Sequence, residues 1–242
     1  MLANEAGAQK EKFWTSGGEI MFSSADYIDS GQRYQGPPRF QLFLHFNAIY
    51  NVDFGKRVGI GMGFTLKNLG FVTNDEPFSV PGSGEEEKTY DKIKRRSYTI
   101  GVPVMLKIGD LKKSRYLVIG GEYDMLFHFK EKRFISGQKF KRKQWFSSET
   151  NRFVPAFFVG FQVNKVGMVK VQYYLDNFLN PEFEERSGNR PYANTESRIV
   201  YLSWTGNLRT SDVNKNDIKP KAKPKDSYAA YKAMKKLKRA SY

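Results

Sequence analysis

Hydrophobic and polar residues alternate with a period of two along most of this chain. The longest such stretch covers residues 39–54, where the even positions are almost all apolar. This period matches an extended strand, whose successive side chains point to opposite faces, and it does not match a helix. A weaker alternation covers residues 18–27, and the other stretches are residues 58–66, 98–108, 115–129, 153–163, 169–175 and 198–208. The pattern therefore predicts eight β-strands.

The segments between these strands are of two kinds, and the two kinds alternate strictly. Short turns are expected at residues 55–57, 110–114 and 164–167, and long loops at residues 28–38, 73–95, 131–151 and 179–197. In an up-and-down meander, every second connection lies at the same end. Long loops at one end and tight turns at the other are typical of an outer-membrane barrel, with the long loops outside the cell. An even number of strands places both termini on the periplasmic side.

The two faces of the predicted strands differ in chemistry. One face is apolar, and the other carries glycine and charge, which suits the crowded interior of an eight-stranded barrel. Its acids are Glu19, Asp53, Glu122, Asp124 and Asp176, and its bases are Arg39, Lys67, Lys107, Arg115 and Lys170. Five acids and five bases predict a paired network that fills a narrow lumen, with the apolar face towards lipid. A soluble ligand-binding barrel, with its apolar face inside, is the alternative.

Aromatic residues near the predicted strand ends support the membrane interpretation. They predict interfacial girdles of Phe40, Tyr98, Phe129 and Phe153 at the outer end and Phe54 and Phe161 at the inner end. Composition excludes three other classes. The chain has no cysteine, which rules out a disulfide-stapled domain and a cysteine-based metal site, and its two histidines are too few for a histidine-rich metal centre. No apolar run is long enough for a membrane helix, which rules out a helical membrane protein. We therefore expect no bound metal and no cofactor.

The chain is strongly basic, with 40 lysines and arginines against 25 acids and a formal charge of +15. Residues 211–242 hold ten bases and three acids, a net charge of +7, and a second basic cluster falls within residues 130–143. Nucleic-acid modules more often interleave bases with exposed aromatic residues along one face. No such motif occurs here, so no nucleic-acid partner is expected.

Several segments resemble a known family of barrels. Residues 98–107 (YTIGVPVMLK), 116–123 (YLVIGGEY), 153–163 and 171–175 are similar to outer-membrane barrels of the PorT-like family from Bacteroidota, and more broadly to OmpX-like barrels. The resemblance covers about residues 18–210 and consists mostly of alternation with a few Gly and Pro positions. It implies an eight-stranded barrel that is often an accessory part of a larger envelope assembly, and it carries no shared catalytic residues.

Residues for catalysis are few. Strand parity points His45 and His128 into the lumen, where hydrogen-bonded interior histidines are expected. A lipid A deacylase would need a histidine beside a serine such as Ser23 or Ser24, on the lipid face near the outer rim. Glu122 and Asp124 share a face, and we expect them to pair with Lys67 or Lys107. The acidic run at residues 85–87 lacks the spacing of a calcium loop. The chain is therefore predicted not to be an enzyme, and a lipid A-modifying barrel is the alternative.

The segment after the last strand departs from a plain barrel. Lys219, Lys221, Lys223 and Lys225 alternate with Pro or Ala, which favours an extended spacer, and a short helix is expected from about Tyr228. Its proposed contact residues are the four lysines above with Tyr228, Tyr231, Lys235, Lys236, Lys238 and Arg239. A disordered tail and a segment that folds on an acidic partner or on anionic cell-wall polymer both remain open.

These features predict an all-β protein in three parts. Residues 1–17 form an N-terminal segment, in which Ala6-Gly7-Ala8 is either the end of a signal peptide or part of an ordinary terminus. Residues 18–210 form an eight-stranded, up-and-down, antiparallel transmembrane barrel, and residues 211–242 a basic periplasmic tail. The expected location is the outer membrane. Expected partners are outer-membrane or periplasmic proteins of an envelope complex, the lipid bilayer and lipopolysaccharide.

Overall fold

The computed structural model describes residues 10–78 and 88–209, which form β-strands and their connections. In chain order, the strands are β1 (Lys10–Asp29), β2 (Gln32–Tyr34), β3 (Arg39–Gln41), β4 (Phe46–Phe54), β5 (Val58–Thr73), β6 (Glu76–Phe78), β7 (Lys88–Tyr90), β8 (Lys92–Asp110), β9 (Arg115–Ile135), β10 (Gln138–Trp145), β11 (Phe153–Gln162), β12 (Gly167–Tyr174) and β13 (Thr195–Arg209). Within these described ranges, no helix is long and apolar enough to cross a membrane.

Eight of the strands close into an antiparallel ring. Around the ring the order is β1, β4, β5, β8, β9, β11, β12 and β13, and β13 lies beside β1 again. Neighbours in the ring are neighbours along the chain, with the short strands left out, so the topology is up-and-down. The prediction of an eight-stranded barrel is confirmed.

The two ends of the ring differ as the connection lengths predict. Turns of a few residues join β4 to β5, β8 to β9 and β11 to β12 at one end. At the other end the strands run on, and β9 reaches 21 residues, whereas a tilted strand crosses a bilayer with about 9–11. There β2 and β3 pair with β1, β10 pairs with β9, and β6 pairs with β7. Much of the predicted long loops is therefore strand, and we call this part of the barrel the extracellular extension.

The first strand begins earlier than its pattern predicts. Lys10 pairs with Phe54 and Gly18 with Phe46 along β4, so residues 10–17 belong to the barrel and not to a separate N-terminal segment. Its outward positions include Lys12 and Ser16, which hide the alternation that marks the other strands. Residues 1–9, with the Ala6-Gly7-Ala8 motif, lie outside the described residues.

The apolar face of the barrel wall points outward. Val104 is 57% exposed and Phe157 48%, and large apolar side chains cover the outer wall on every strand of the ring. A continuous apolar belt of this size is unfavourable in water and is the lipid-facing band of a membrane barrel. The soluble-barrel alternative is therefore wrong, and the protein is an outer-membrane β-barrel.

A β-bulge in β9 changes which side chains face the lumen. Tyr98 of β8 pairs with His128, but the next residue, Thr99, pairs with Leu126, so Phe127 is an extra residue in β9. An extra residue reverses the inside-outside alternation beyond it. Phe129 consequently lies inside the barrel, 1% exposed, and not in the outer aromatic girdle. His128 turns to the exterior, so its predicted lumenal position is wrong.

The long alternation of residues 39–54 is also interrupted. The strand stops at Gln41 and restarts at Phe46, with Leu44 in the left-handed region at φ 63°. Arg39, expected in the lumen, instead donates hydrogen bonds to the backbone oxygen and side-chain Oδ1 of Asn68, at 3.1 and 3.0 Å. Apolar residues at both odd and even positions of 42–44 are exposed, which is why the sequence pattern conceals the break.

Candidate functional site: a sealed lumen

The middle of the barrel holds a buried cluster around Lys67, which projects inward from β5. Its ammonium lies 2.7 Å from Glu122 Oε2 and 2.7 Å from Asp124 Oδ2, both on β9. It also donates to the hydroxyl of Tyr174 at 3.1 Å. Strand parity places these side chains on the lumenal face, their contacts bring them to one level, and three strands supply them. Of the two lysines expected as partners, Lys67 and Lys107, the structure places Lys67 beside both carboxylates.

Neutral donors complete the hydrogen bonding of the two carboxylates. Thr65 and Gln172 donate to Glu122, the latter at 3.0 Å, and Tyr174 donates to Asp124. Tyr201 donates in turn to Gln172 at 2.5 Å. These four neutral side chains carry no charge signal in the sequence, although their parity on β5, β12 and β13 assigns them to the same face.

Two further ion pairs fill the lumen between this level and the tight turns. Lys170 of β12 lies 3.1 Å from Glu19 Oε1 of β1, which also accepts from Ser203 of β13. Lys107 of β8 pairs with Asp53 of β4. All four charged groups are at most 9% exposed in their side chains. Each salt pair thus joins two strands that have one strand between them in the ring, and its charged groups are buried inside the lumen.

The structure places six of the seven main residues of the predicted network in the lumen and places Asp176 outside it. Glu19, Lys67, Lys107, Glu122, Asp124 and Lys170 are buried in the lumen. Asp176 is exposed because β12 ends at Tyr174 and the chain has left the wall by then. Arg115 is exposed as well. The expected balance of five acids and five bases is therefore wrong, and neutral donors take the place of the missing cations.

Glycine at position 101 makes room for the central cluster. A Cβ atom on Gly101 would lie against the carboxylates of Asp124 and Glu122 and 2.6 Å from Thr65 Oγ1. We expect Gly101→Ala to lower the free energy of unfolding by about 1–3 kcal/mol through overpacking. The control is Gly121→Ala on the outer wall, whose new Cβ would meet its nearest neighbour at 3.6 Å. Urea titration of the refolded barrels measures both, and equal stability of the two variants would contradict this account.

An aromatic plug closes the lumen above the charged layers. Phe178, Leu179 and Tyr192 come from the connection between β12 and β13 and are buried together with Tyr27, Phe71 and Phe129 of the wall. Phe178 meets Phe71 edge-on, with ring centroids 5.7 Å apart. Backbone hydrogen bonds from Asn151 to Phe178 and from Phe178 to Ser197 hold the segment in place. We call these six residues the aromatic plug.

Above the plug, a second ionic cluster ties the extracellular extension together. Arg95 of β8 pairs with Glu76 at 2.5 Å and with Glu131 of β9 at 3.1 Å. Burial opposes ionisation of Glu76, but the Arg95 guanidinium outweighs it and lowers the pKa of this carboxyl. Burial likewise opposes ionisation of Glu131, where Arg95, Arg133 and Arg142 together lower the pKa. These carboxyls therefore stay charged at neutral pH.

The two histidines do not form a catalytic site with a serine. His45 is buried in the lumen, and neither of its ring nitrogens has a hydrogen-bond partner among the described residues. His128 stacks on Tyr98 at 5.3 Å on the exterior. Ser23 and Ser24 lie on β1, four strands from β9 in either direction around the ring. The residue pair that a deacylase would need is thus not assembled here.

Other predicted features lie partly outside the residues that the structure describes. Within residues 10–78 and 88–209, no group of three or more histidine, aspartate or glutamate side chains is placed to hold a metal ion. The acidic run at residues 85–87 and the basic tail with all its proposed contact residues lie outside the described residues.

Comparisons with known proteins give the following findings. No family model matches the chain, and no curated protein matches it. Similar solved structures include Ail, the attachment invasion locus protein of Yersinia pestis, at 13% identity and TM-score 0.35, covering 82% of this chain and 98% of Ail. Ail in complex with the heparin analogue sucrose octasulfate has 16% identity and TM-score 0.34, covering 81% and 99%. Neisserial surface protein A has 8% identity and TM-score 0.34, covering 83% and 98%.

Proposed function

We propose that this protein is a non-enzymatic outer-membrane barrel that acts as a structural or accessory subunit of an envelope complex, in machinery for secretion or outer-membrane protein assembly. The single observation that carries the proposal is the filled lumen. Buried ion pairs and the aromatic plug occupy the space that a pore or an interior ligand would need. The surfaces left for function are then the outer wall, the extracellular extension and the tail.

The resemblance to PorT-like barrels supports this role, because members of that family are often accessory parts of larger assemblies. The charge of the tail supports it as well. Residues 211–242 carry ten bases against three acids, and such a segment is attracted to acidic protein surfaces or to anionic cell-wall polymer in the periplasm. The tail is therefore proposed as the periplasmic docking segment.

Deletion of residues 211–242 is the experiment that tests this function. We expect the shortened protein to insert into the outer membrane normally, because every described strand is retained. We expect it to lose the partner that co-purifies with the full-length protein from native membranes. The measurement is affinity purification followed by mass spectrometry, with heat-dependent gel migration as the check on barrel folding.

A shorter deletion serves as the control. Removal of residues 227–242 keeps the Lys/Pro segment and removes the predicted helix. If the helix makes the contact, both deletions lose the partner, and if the lysines between residues 219 and 225 make it, only the longer deletion does. Unchanged co-purification with both would refute the docking role of the tail.

A further inference from the structure

The outer face of the extracellular extension carries an ordered array of bases. Strands β8, β9 and β10 lie side by side there, and directly opposed residues in antiparallel strands share a face. One row across the three strands is Lys94, Lys132 and Lys141, and the row nearer the membrane is Arg96, Lys130 and Lys143. We call these six residues the basic grid. Neighbouring strands are about 4.8 Å apart and successive rows about 7 Å apart.

The charges of the basic grid are not neutralised by the rest of the hairpin. Arg133 and Arg142 belong to the same stretch of sequence but face the other side, where both contact Glu131. In the part of the chain that the structure describes, none of the six grid residues forms an ion pair with a carboxylate. Partial burial and then the positive charge of Arg96 lower the pKa of Lys130. Such an accumulation of like charge disfavours the free surface and favours binding of an anion.

The grid lies at the level where lipid headgroups meet the protein. Immediately below it on the same face is a row of Tyr98, His128 and Trp145, in which the His128 and Trp145 rings are 4.4 Å apart. Below Tyr98, the outward residues of β8 are the exposed apolar side chains of the lipid-facing wall, beginning with Ile100. Tyr and Trp mark the interface between hydrocarbon and water in membrane barrels. This face therefore changes from an apolar wall to an aromatic row and then to bases, in the same order as the acyl chains, the interface and the charged headgroup of a lipid.

We propose that the basic grid is a binding site for the phosphorylated headgroup of an outer-leaflet glycolipid of the lipid A class. Two rows of three cations match a headgroup that carries several phosphate oxygens, because lysine and arginine both donate to phosphate and the long side chains adjust to its position. The aromatic row and the wall below it supply contacts for the acyl chains. A soluble polyanion would use the bases alone, so the continuity with the wall favours the lipid. This inference goes beyond the proposed accessory function and does not depend on it.

The test compares two variants of the full-length protein that each lose four positive charges. The first is Lys130→Gln/Lys132→Gln/Lys141→Gln/Lys143→Gln, in the grid. The control is Lys56→Gln/Arg57→Gln/Lys112→Gln/Lys113→Gln, in exposed turns at the opposite end of the barrel. Each protein is refolded in zwitterionic detergent micelles and titrated with bisphosphorylated lipid A, with tryptophan fluorescence as the signal. We expect the grid variant to bind at least tenfold more weakly than the control and the wild type, and dephosphorylated lipid A to show no such difference.

Two results would overturn the proposal. One is equal affinity of the grid and turn variants for bisphosphorylated lipid A. The other is tighter binding of a soluble heparin fragment than of lipid A to the wild type, which would assign the grid to an acidic polysaccharide. Folding of the grid variant is not expected to suffer, because the substitutions relieve repulsion between exposed charges. Both variants keep residues 211–242, so a failure here is distinct from a failure of partner co-purification.

Discussion

Replacing Lys67 with methionine is expected to lower the free energy of unfolding of the barrel by about 3–5 kcal/mol. The substitution keeps most of the side-chain volume and removes the ammonium that lies 2.7 Å from both Glu122 and Asp124. The two carboxylates would then remain in a fully buried site with neutral donors alone. The loss therefore reflects the cost of unpaired buried charge more than the loss of one attraction.

Two controls separate this cause from a general effect of the substitution. Lys56→Met changes an exposed turn lysine and is expected to alter stability by less than about 0.5 kcal/mol. Adding Glu122→Gln and Asp124→Asn to Lys67→Met removes the orphaned charges and should recover much of the lost stability. Urea titration of the barrels in lipid vesicles gives the free energies. If Lys67→Met is as stable as Lys56→Met, the central cluster does not stabilise the lumen.

The general architecture could be predicted because a barrel wall separates two environments at every second residue. Lipid on one side and a packed interior on the other impose an alternation that survives in the sequence, as Val102, Val104 and Leu106 against Gly101, Pro103 and Lys107 show on β8. Connection lengths carry the second signal, since only tight turns join β4 to β5 and β8 to β9. Most of the lumenal charge network followed from the same parity.

The wrong predictions of which side chains face the lumen arise where a local backbone feature interrupts the inside-outside alternation along a strand. The extra residue Phe127 places His128 outside and Phe129 inside the barrel. No residue near Phe127 indicates this bulge in the sequence. His128 and Phe129 both carry aromatic rings, so the hydrophobic pattern is the same whichever of the two faces the lumen. The break at residues 42–44 is hidden in the same way, because apolar residues occupy the odd and the even positions alike.

The aromatic plug and the basic grid depend on contacts between distant parts of the chain. Phe178 and Leu179 follow β12 in a segment without alternation, and only the closed ring brings them against Phe71 and Phe129. The basic cluster of residues 130–143 is visible in the sequence, but the hydrophobic pattern predicts a loop there. Once these residues form β9 and β10, alternation sends Lys130 and Lys132 outward and Arg133 towards Glu131.

Replacement of Arg95 with methionine is expected to have an effect of similar size in the extracellular extension. Glu76 and Glu131 would lose the guanidinium that pairs with both, at a local cost of about 3–5 kcal/mol. The transmembrane wall and the cluster around Lys67 lie below this level and should remain folded. Limited proteolysis of protein in vesicles is therefore the measurement, with faster cleavage of the extension as the expected result. Arg33→Met, which breaks an exposed pair with Asp26, is the control and should change the rate little.

The rate of cleavage is also expected to depend on pH differently in the wild type and in Arg95→Met. In the wild type, Arg95 holds the pKa of Glu76 and of Glu131 below the ordinary value, so their contribution to stability is present above about pH 4.3 and is lost as the pH falls through the lowered values. In Arg95→Met, burial without the cation should raise the pKa of Glu76, whereas Arg133 and Arg142 still pair with Glu131, and protonation of Glu76 should then stabilise the extension. Acidification is thus expected to speed cleavage of the wild type more than cleavage of the variant. The same pH response in both proteins would show that the pairing of Arg95 with these carboxylates does not hold the extension together.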